Sequence, residues 1–167
     1  SGQATLARQG HVVRHDLRDG GRDVAVCELT PTGREELDRL LGQALTTVDL
    51  YDAVPFHTAF GLLPLVRRSQ ALDHLRRRRD ELVRQIDELA DLQRGPHAGT
   101  PPHALAGLHL QLERGRVELV WLEATLTAIE GGDLDFLGEQ WSWTPPADDP
   151  GWQMKLDRER YRALLQR

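Results

Sequence analysis

The sequence predicts a mainly α-helical protein that carries one short β-hairpin near the start of the chain. Two observations predict this fold class: a glycine turn separates two short apolar runs, and several later segments place apolar residues three and four positions apart. The chain has 167 residues, of which 40% are hydrophobic and 5% aromatic. Leucine and valine must therefore fill most of a modest core, in one domain or in two small ones.

Composition and charge argue against several classes of protein. No run approaches the roughly 18 uninterrupted apolar residues of a transmembrane helix, so no membrane-spanning segment is expected. The single cysteine cannot form an internal disulfide, which is typical of a protein in the reducing cytoplasm. The net charge of -5 argues against a uniformly basic surface for nucleic acid, but it permits a local basic face.

The first predicted elements are the end of a helix and a hairpin. Residues 3–9 have the pattern of a closing helix, with Gly10 as its C-cap. The stretches HVVRHDL (11–17) and DVAVCEL (23–29) are predicted strands, and RDGGR between them has the glycines of a hairpin turn. Residues 1–22 hold four arginines against two aspartates, so the hairpin is expected to be basic at and beside its tip.

A helix is predicted directly after the hairpin, ending at about residue 50. Thr30 is a good N-cap and Pro31 suits the first helical turn. Glu35 and Glu36 follow close to the positive end of the helix dipole. The apolar face of this helix consists of Leu37, Leu40, Leu41, Ala44, Leu45 and Val48.

Two long helices are predicted beyond an interrupted stretch of short helices or loops at residues 51–68. The first runs from Ser69 to about Arg94, with apolar a and d positions at Leu72, Leu75, Leu82, Ile86 and Leu89. The second follows a glycine- and proline-rich break and carries Leu105, Leu108, Leu112, Leu119, Leu122, Leu126 and Ile129. Four apolar heptads predict that it packs along another long helix, with Gly115 at a position where another backbone could approach closely.

The segment after these helices is predicted to be a polar loop followed by one more helix. Residues 138–151 form a polar, proline-rich loop that contains Trp141 and Trp143. A last helix is predicted over residues 152–166, and the tryptophans are expected to pack it down.

A helix, a hairpin with a basic tip and a second helix form the C-terminal half of a winged helix, in which the hairpin touches DNA phosphates or the minor groove. The chain resembles the PadR family of bacterial transcriptional regulators in this region. The matching residues are Leu6, Gly10, Gly21, Arg22, Leu29, Thr30 and Gly33.

The stretch ELVWLEATLTAIEGGDLDF is similar to the family's C-terminal dimerisation domain, so the resemblance extends to about Phe136. Cys27 and Gln3 depart from it, at positions where the family usually has tyrosine and leucine.

The resemblance implies a mainly α protein with a winged helix-turn-helix, followed by a helical dimerisation domain with long coiled-coil-like helices. Residues 1–50 would be the C-terminal part of the DNA-binding domain, and 51–136 the dimerisation and effector domain. Residues 137–167 would be a loop and helical extension without a family counterpart. Two further helices and most of the recognition helix are expected upstream of Ser1.

Under this interpretation Arg14, Arg18 and Arg22 are candidate phosphate contacts. Thr5 and Arg8 would touch the DNA backbone near the end of the recognition helix. The alternative is an ordinary solvated surface at both places. The arginine run at residues 76–79 points in four directions on a helix and is interpreted as a solvated face.

A homodimer is expected to form along the leucines of the second long helix. The predicted interface residues are Leu105, Leu108, Leu112, Leu119, Leu122 and Leu126. Trp121 lies beside them and is a candidate stacking surface for a small, flat, apolar effector, with a plain core or interface anchor as the alternative.

No catalytic or metal-binding residues are predicted. The serines lie in no nucleophile-elbow context, and there is no glycine-rich phosphate loop. No pair of histidines has metal-ligand spacing with a third ligand. Cys27 is expected to be a buried, inert thiol.

The sequence therefore favours a cytoplasmic, dimeric transcriptional repressor that is not an enzyme, needs no cofactor and binds a roughly palindromic double-stranded DNA operator. Two alternatives remain open. One is a helical protein–protein interaction module without DNA binding. The other is a protein that binds or sequesters a small molecule through its tryptophans.

Overall fold

Helices make up most of the computed structural model, which describes residues 2–95, 99–140 and 144–165. Its elements in chain order are α1 (Gly2–Arg8), β1 (Val12–Asp19), β2 (Arg22–Leu29), α2 (Pro31–Thr46), α3 (Val54–Gly61), a short 3-10 turn (Leu63–Leu65), α4 (Arg68–Arg94), α5 (Pro102–Gly131) and α6 (Gly151–Leu165). The predicted mainly helical fold with one antiparallel hairpin is confirmed. None of the helices in the described ranges is long and apolar enough to cross a membrane.

The chain divides into two compact units. The first, called here the hairpin unit, consists of the described residues within Ser1–Leu37 and Trp141–Arg167. The second, the helical unit, is Asp38–Gln140. Helix α2 begins in the hairpin unit and contributes its later turns to the helical unit.

The hairpin has a two-residue turn made of glycines. Its register runs from Val12 opposite Leu29 to Asp19 opposite Arg22. Gly20 and Gly21 have φ angles of 55° and 85°, as a type I′ turn requires at both central positions. Residues with side chains adopt such angles rarely, so this glycine pair determines where the chain reverses.

The junction between the hairpin and α2 is a hydrogen-bonded cap. The Thr30 hydroxyl donates to the Gly10 carbonyl oxygen at 2.7 Å and accepts from the Gly33 amide at 2.9 Å. The Thr30 amide donates to the carbonyl oxygen of His11 at 3.1 Å. The predicted N-cap role of Thr30 is confirmed, and the same side chain also ties α2 to the segment before β1.

Gly33 occupies a position where only glycine fits. A Cβ atom on this residue would lie 1.8 Å from the carbonyl oxygen of His11. That oxygen belongs to the backbone segment that Thr30 holds, so it cannot easily move away. The family resemblance at Thr30 and Gly33 thus corresponds to one physical constraint, the close contact between the first turn of α2 and the start of the hairpin.

The core of the helical unit lies between α4 and α5. Leu75 and Leu82 of α4 and Leu112, Leu122 and Ile129 of α5 are fully buried. The heptad pattern of α5 therefore packs along a long helix, as predicted, and that helix is α4 of the same chain.

The predicted close approach at Gly115 is made by a side chain. A Cβ atom on Gly115 would lie 2.9 Å from Cγ1 of Ile86. The absence of a side chain at this position therefore lets Ile86 of α4 pack against the surface of α5.

Helix α2 ends at Thr46, about one turn earlier than predicted. The Thr46 hydroxyl donates to the Gly42 carbonyl oxygen at 2.8 Å. Beyond it, the Asp49 carboxylate accepts hydrogen bonds from the amides of Tyr51 and Asp52 at 2.8 and 3.1 Å. These bonds stabilise a turn at residues 49–52 in place of another helical turn, because an Asp side chain competes with the helix for backbone donors.

The end of α5 is fastened to the start of α4 by Arg68. Its guanidinium donates to both oxygens of the Glu139 carboxylate at 2.8 and 2.7 Å and lies 4.8 Å from the centroid of the Phe136 ring. The hydrogen bonds from Arg68 lower the pKa of Glu139 below its usual value. The segment after Gly132 therefore packs back onto the helical unit.

We expect Gly33→Ala to destabilise the hairpin unit by about 3 kcal/mol or more, because the added methyl group collides with backbone atoms. Hydrogen exchange measured by mass spectrometry should become faster across residues 11–29. The matched control is Gly107→Ala in α5, since no atom lies within 4 Å of the added Cβ. That change should be neutral or stabilise by up to about 1 kcal/mol. Equal exchange in the two variants would contradict the role assigned to the junction.

Candidate functional site

The predicted phosphate contacts are exposed but occupy two faces of the hairpin. Side chains alternate along a strand, so Arg14 and Arg18 share one face with Cys27, whereas Arg22 lies on the other face with Asp19. We call this first face the arginine face, and by the same register it also carries Asp16 and, opposite Arg18, Asp23. Arg14 pairs with Asp16 at 2.8 Å, while Arg18 has no ion-pair partner in the described part of the chain.

Thr5 and Arg8 lie together on the exposed surface of α1. The Arg8 guanidinium donates to the Thr5 hydroxyl at 3.4 Å, which is a weak contact between neighbouring helical turns. Neither side chain is buried, so both remain accessible to a ligand.

The structure corrects the prediction for Cys27, which is exposed. The position was expected to be buried because the PadR family, which the sequence resembles here, usually has a tyrosine at the matching position. On the observed hairpin, however, Cys27 points to the same face as Arg14 and Arg18. Its thiol is therefore accessible from solvent beside the arginine face.

The leucines predicted as a dimer interface face inward within the protomer. Leu112 and Leu122 are completely buried and Leu126 is 6% exposed, all by packing within the helical unit. Leu105, Leu108 and Leu119 are half-buried. Other apolar side chains of α5 are more exposed and accessible to a second copy of the chain, namely Leu110, Val117, Val120 and Trp121.

An open groove of about 970 Å³ lies between α3, α5 and the 49–53 loop. Its apolar part is an aromatic cluster in which the Trp121 ring contacts Phe60 and Phe56, with centroid distances of 5.0 and 5.9 Å. Both contacts are edge-to-face, which is the favoured geometry for aromatic pairs. We call this feature the aromatic groove. Trp121 was predicted as an effector contact, whereas the two phenylalanines were not singled out.

The aromatic groove contains more carboxylates than guanidiniums. Asp49, Glu113 and Glu118 line it together with Arg114. The Arg114 guanidinium lies 3.4 Å from the Leu50 carbonyl oxygen, so it borders the same loop. The groove could accept an apolar ring against the aromatic side chains while its rim presents polar groups.

The floor of the groove rests on Arg78, which is 1% exposed. Its guanidinium lies 2.6 Å from Oε1 of Glu118 and 3.7 Å from the centroid of the Phe56 ring. It also donates to the Thr47 carbonyl oxygen just after α2. Burial lowers the pKa of Arg78, and the Glu118 carboxylate opposes that shift.

Arg78 also corrects the interpretation of residues 76–79 as a solvated face. The four side chains do point in different directions, and Arg76 forms an exposed ion pair with Glu130 at 2.7 Å. Arg78 turns inward because a carboxylate, a backbone carbonyl and an aromatic face all meet its guanidinium there.

Other predicted features contribute no site in the described ranges. No group of three or more His, Cys, Asp or Glu side chains is arranged there to hold a metal ion. Trp152 donates a hydrogen bond to the Pro146 carbonyl oxygen at 2.7 Å and so fixes the start of α6 to the preceding loop. Trp141, Trp143 and His97 lie outside the described residues.

Removing Arg78 should cost far more stability than removing a surface arginine of the same helix. We expect Arg78→Met to lower the free energy of unfolding by about 3–5 kcal/mol, because it leaves Glu118 without its buried partner. Arg76→Met breaks an exposed pair and should cost at most about 1 kcal/mol.

A double-mutant cycle measured by urea denaturation tests the pairing itself. The double variant Arg78→Met/Glu118→Met should lose clearly less than the sum of the two single changes, since no charge is left unpaired. Additive losses would show that Arg78 acts through packing alone.

Comparison with known proteins does not assign the chain to a family. No protein-family model, curated protein or solved structure matches it. The resemblance to the PadR family thus rests on the motif residues named above, and its functional consequences remain predictions.

Proposed function

We propose that this protein is a dimeric, DNA-binding transcriptional regulator of the PadR type that acts as a repressor. The observation that carries this proposal is the hairpin, which presents Arg14 and Arg18 on an exposed face and Arg22 beside a glycine turn. The Thr30–Gly33 junction holds this hairpin against the helix that follows it. A hairpin that exposes arginines on its strands and beside its turn suits the role of a wing, although Asp16, Asp19, Asp23 and Glu28 lie on the same two strands.

The chemistry of the hairpin favours a phosphate backbone as its ligand. A guanidinium presents several N–H donors in a plane and matches phosphate oxygens geometrically. Neutralising each phosphate releases condensed counterions, so the affinity should fall steeply as salt rises. Base contacts would come from the recognition helix rather than from the wing.

Dimerisation in this proposal uses the exposed apolar side chains of α5. Val117 and Val120 are 71% and 70% exposed, and Trp121 lies beside them. Burying these side chains against a second copy would remove apolar surface from water. A two-fold axis would then present two hairpins to a roughly palindromic operator.

The aromatic groove is the proposed effector site. Trp121 borders both the groove and the exposed valines, so a bound ligand would lie next to the dimer contact. A small apolar ligand would relieve repression by binding more tightly to a dimer geometry that does not fit the operator.

Fluorescence anisotropy with DNA from upstream of the gene tests the regulator function. The protein should bind selectively, and log Kd should depend strongly on log salt concentration. The double variant Arg18→Gln/Arg22→Gln should reduce that slope by about two, or roughly one for each lost phosphate contact.

The matched control is Arg67→Gln/Arg77→Gln, which removes two exposed arginines from the helical unit. It should leave the slope close to that of the unmodified protein. The absence of selective binding by the folded dimer would reject DNA binding and favour the protein–protein interaction module.

The geometry of the aromatic groove also favours a second function, the binding of a small apolar molecule without DNA. Whether or not the protein binds DNA, a neutral apolar probe such as N-phenyl-1-naphthylamine should bind in the aromatic groove. Phe60→Ala should weaken that binding about tenfold, because it removes a ring 5.0 Å from Trp121. Leu92→Ala, which removes an exposed apolar side chain outside the groove, is the control. Equal affinity in the two variants would show that the probe binds elsewhere.

A further inference from the structure

Helix α6 packs against the hairpin, although no role was predicted for residues 137–167. Asp19 at the end of β1 accepts a hydrogen bond from the Tyr161 hydroxyl at 3.3 Å and is also paired with Arg160. The Asp19 side chain is 14% exposed, so α6 covers most of it. These contacts position the neighbouring residues of α6 beside β2.

A second groove, of about 460 Å³, lies between β2, the first turn of α2 and α6. Three arginines line it, Arg34, Arg158 and Arg162, and we call it the arginine groove. None of the three forms a hydrogen bond or an ion pair with any described residue. The carboxylate that lines the groove is Glu28, and its Oε2 is already 3.1 Å from Nε2 of His15.

The arginine groove therefore has an excess of positive charge that the described chain does not neutralise. An anion in the groove would interact favourably with the positive charges of these arginines. Phosphate oxygens are well suited as acceptors, because each guanidinium can donate two parallel hydrogen bonds to them.

We infer that the arginine groove binds backbone phosphates of DNA, so that α6 extends the DNA-contacting surface of the hairpin. Cys27 lines the groove and is paired across the hairpin with Arg14. The groove thus reaches the arginine face at Cys27, while α6 itself covers Asp19 on the opposite face. A phosphate backbone that contacts both would pass around the β2 side of the hairpin. This inference rests on the proposed DNA binding and adds two contacts from α6, Arg158 and Arg162.

The salt dependence of DNA binding tests the inference. In the complete protein, Arg158→Gln/Arg162→Gln should lower the slope of log Kd against log salt by about two and weaken binding at least about tenfold at low salt. Arg160 and Tyr161 are unchanged in this variant, so the contacts to Asp19 that hold α6 remain. The control is again Arg67→Gln/Arg77→Gln, which should alter neither quantity appreciably.

Cys27 provides a second readout at the groove itself, since it is the single cysteine of the chain. Bound DNA should slow its alkylation by the neutral reagent N-ethylmaleimide several-fold. In Arg158→Gln/Arg162→Gln, DNA at saturating concentrations should slow the alkylation of Cys27 much less, or not at all. Inorganic phosphate at matched ionic strength should protect Cys27 much less than DNA does.

The outcomes separate this inference from the proposed function. If the unmodified protein binds DNA but the α6 variant keeps its slope and its Cys27 protection, α6 makes no phosphate contact and the inference is rejected. If phosphate protects Cys27 and DNA does not, the groove is a site for a small anion, which also rejects it. If the unmodified protein does not bind DNA, the inference and the proposed function fail together.

Discussion

The helical unit depends on one buried charge. Arg78 has almost no exposed surface. Its guanidinium contacts the Thr47 carbonyl oxygen just after α2, the Phe56 ring of α3 and the Glu118 carboxylate of α5. Removing such a group from water costs several kcal/mol unless partners satisfy its charge and its N–H donors. The positions of the α2 end, α3 and α5 around Arg78 are therefore constrained, because moving any of them away would leave part of the guanidinium without a partner. Apolar packing between α4 and α5 supplies most of the buried surface, but it tolerates small shifts that a hydrogen-bonded guanidinium does not.

This constraint limits which ligands the aromatic groove can accept. Glu118 lines the groove and also neutralises Arg78. Phe56 presents a ring face to Arg78 and makes an edge-to-face contact with Trp121. A ligand that drew Glu118 toward itself would leave a buried guanidinium unpaired and would bind weakly for that reason. Favourable ligands must leave the pair intact and gain their affinity from the aromatic side chains. The side chains beneath the groove are thus held by the Arg78 contacts, whereas its rim is open to solvent, with Tyr51 79% exposed.

The parts of this structure that the sequence predicted are those governed by local chemistry. The glycine pair at residues 20–21 and the Thr30 cap follow from backbone angles and hydrogen bonds within a few residues. The parts that it did not predict depend on contacts between distant residues. Heptad periodicity showed that one face of α5 is buried, but it did not show that Leu112 and Leu122 pack on α4 rather than on a second chain. The sequence did not distinguish Arg78 from the three arginines beside it. The residues that bind its guanidinium lie 31 and 40 positions away in the chain. The arginine groove was missed for the same reason, since Arg34 and Arg158 meet only in the folded hairpin unit.

The net charge of the whole chain is a poor guide to its ligand, because the two units distribute their arginines differently. In the helical unit most of the arginines that form ion pairs use neighbouring carboxylates: Arg84, for example, donates to Glu81, and the pKa of Glu81 falls to about 2 because of hydrogen bonds from Arg84 and Gln85. In the hairpin unit Arg18, Arg22, Arg34, Arg158 and Arg162 have no such partner among the described residues. Interactions between exposed charges are screened beyond about 8–10 Å at physiological salt. The carboxylates that affect an anion at the hairpin are therefore the near ones, Asp16, Asp19, Asp23 and Glu28, which lie on the same two strands as its arginines. The charge at any one surface is set by such neighbouring groups, and the net charge of -5 for the whole chain does not determine it.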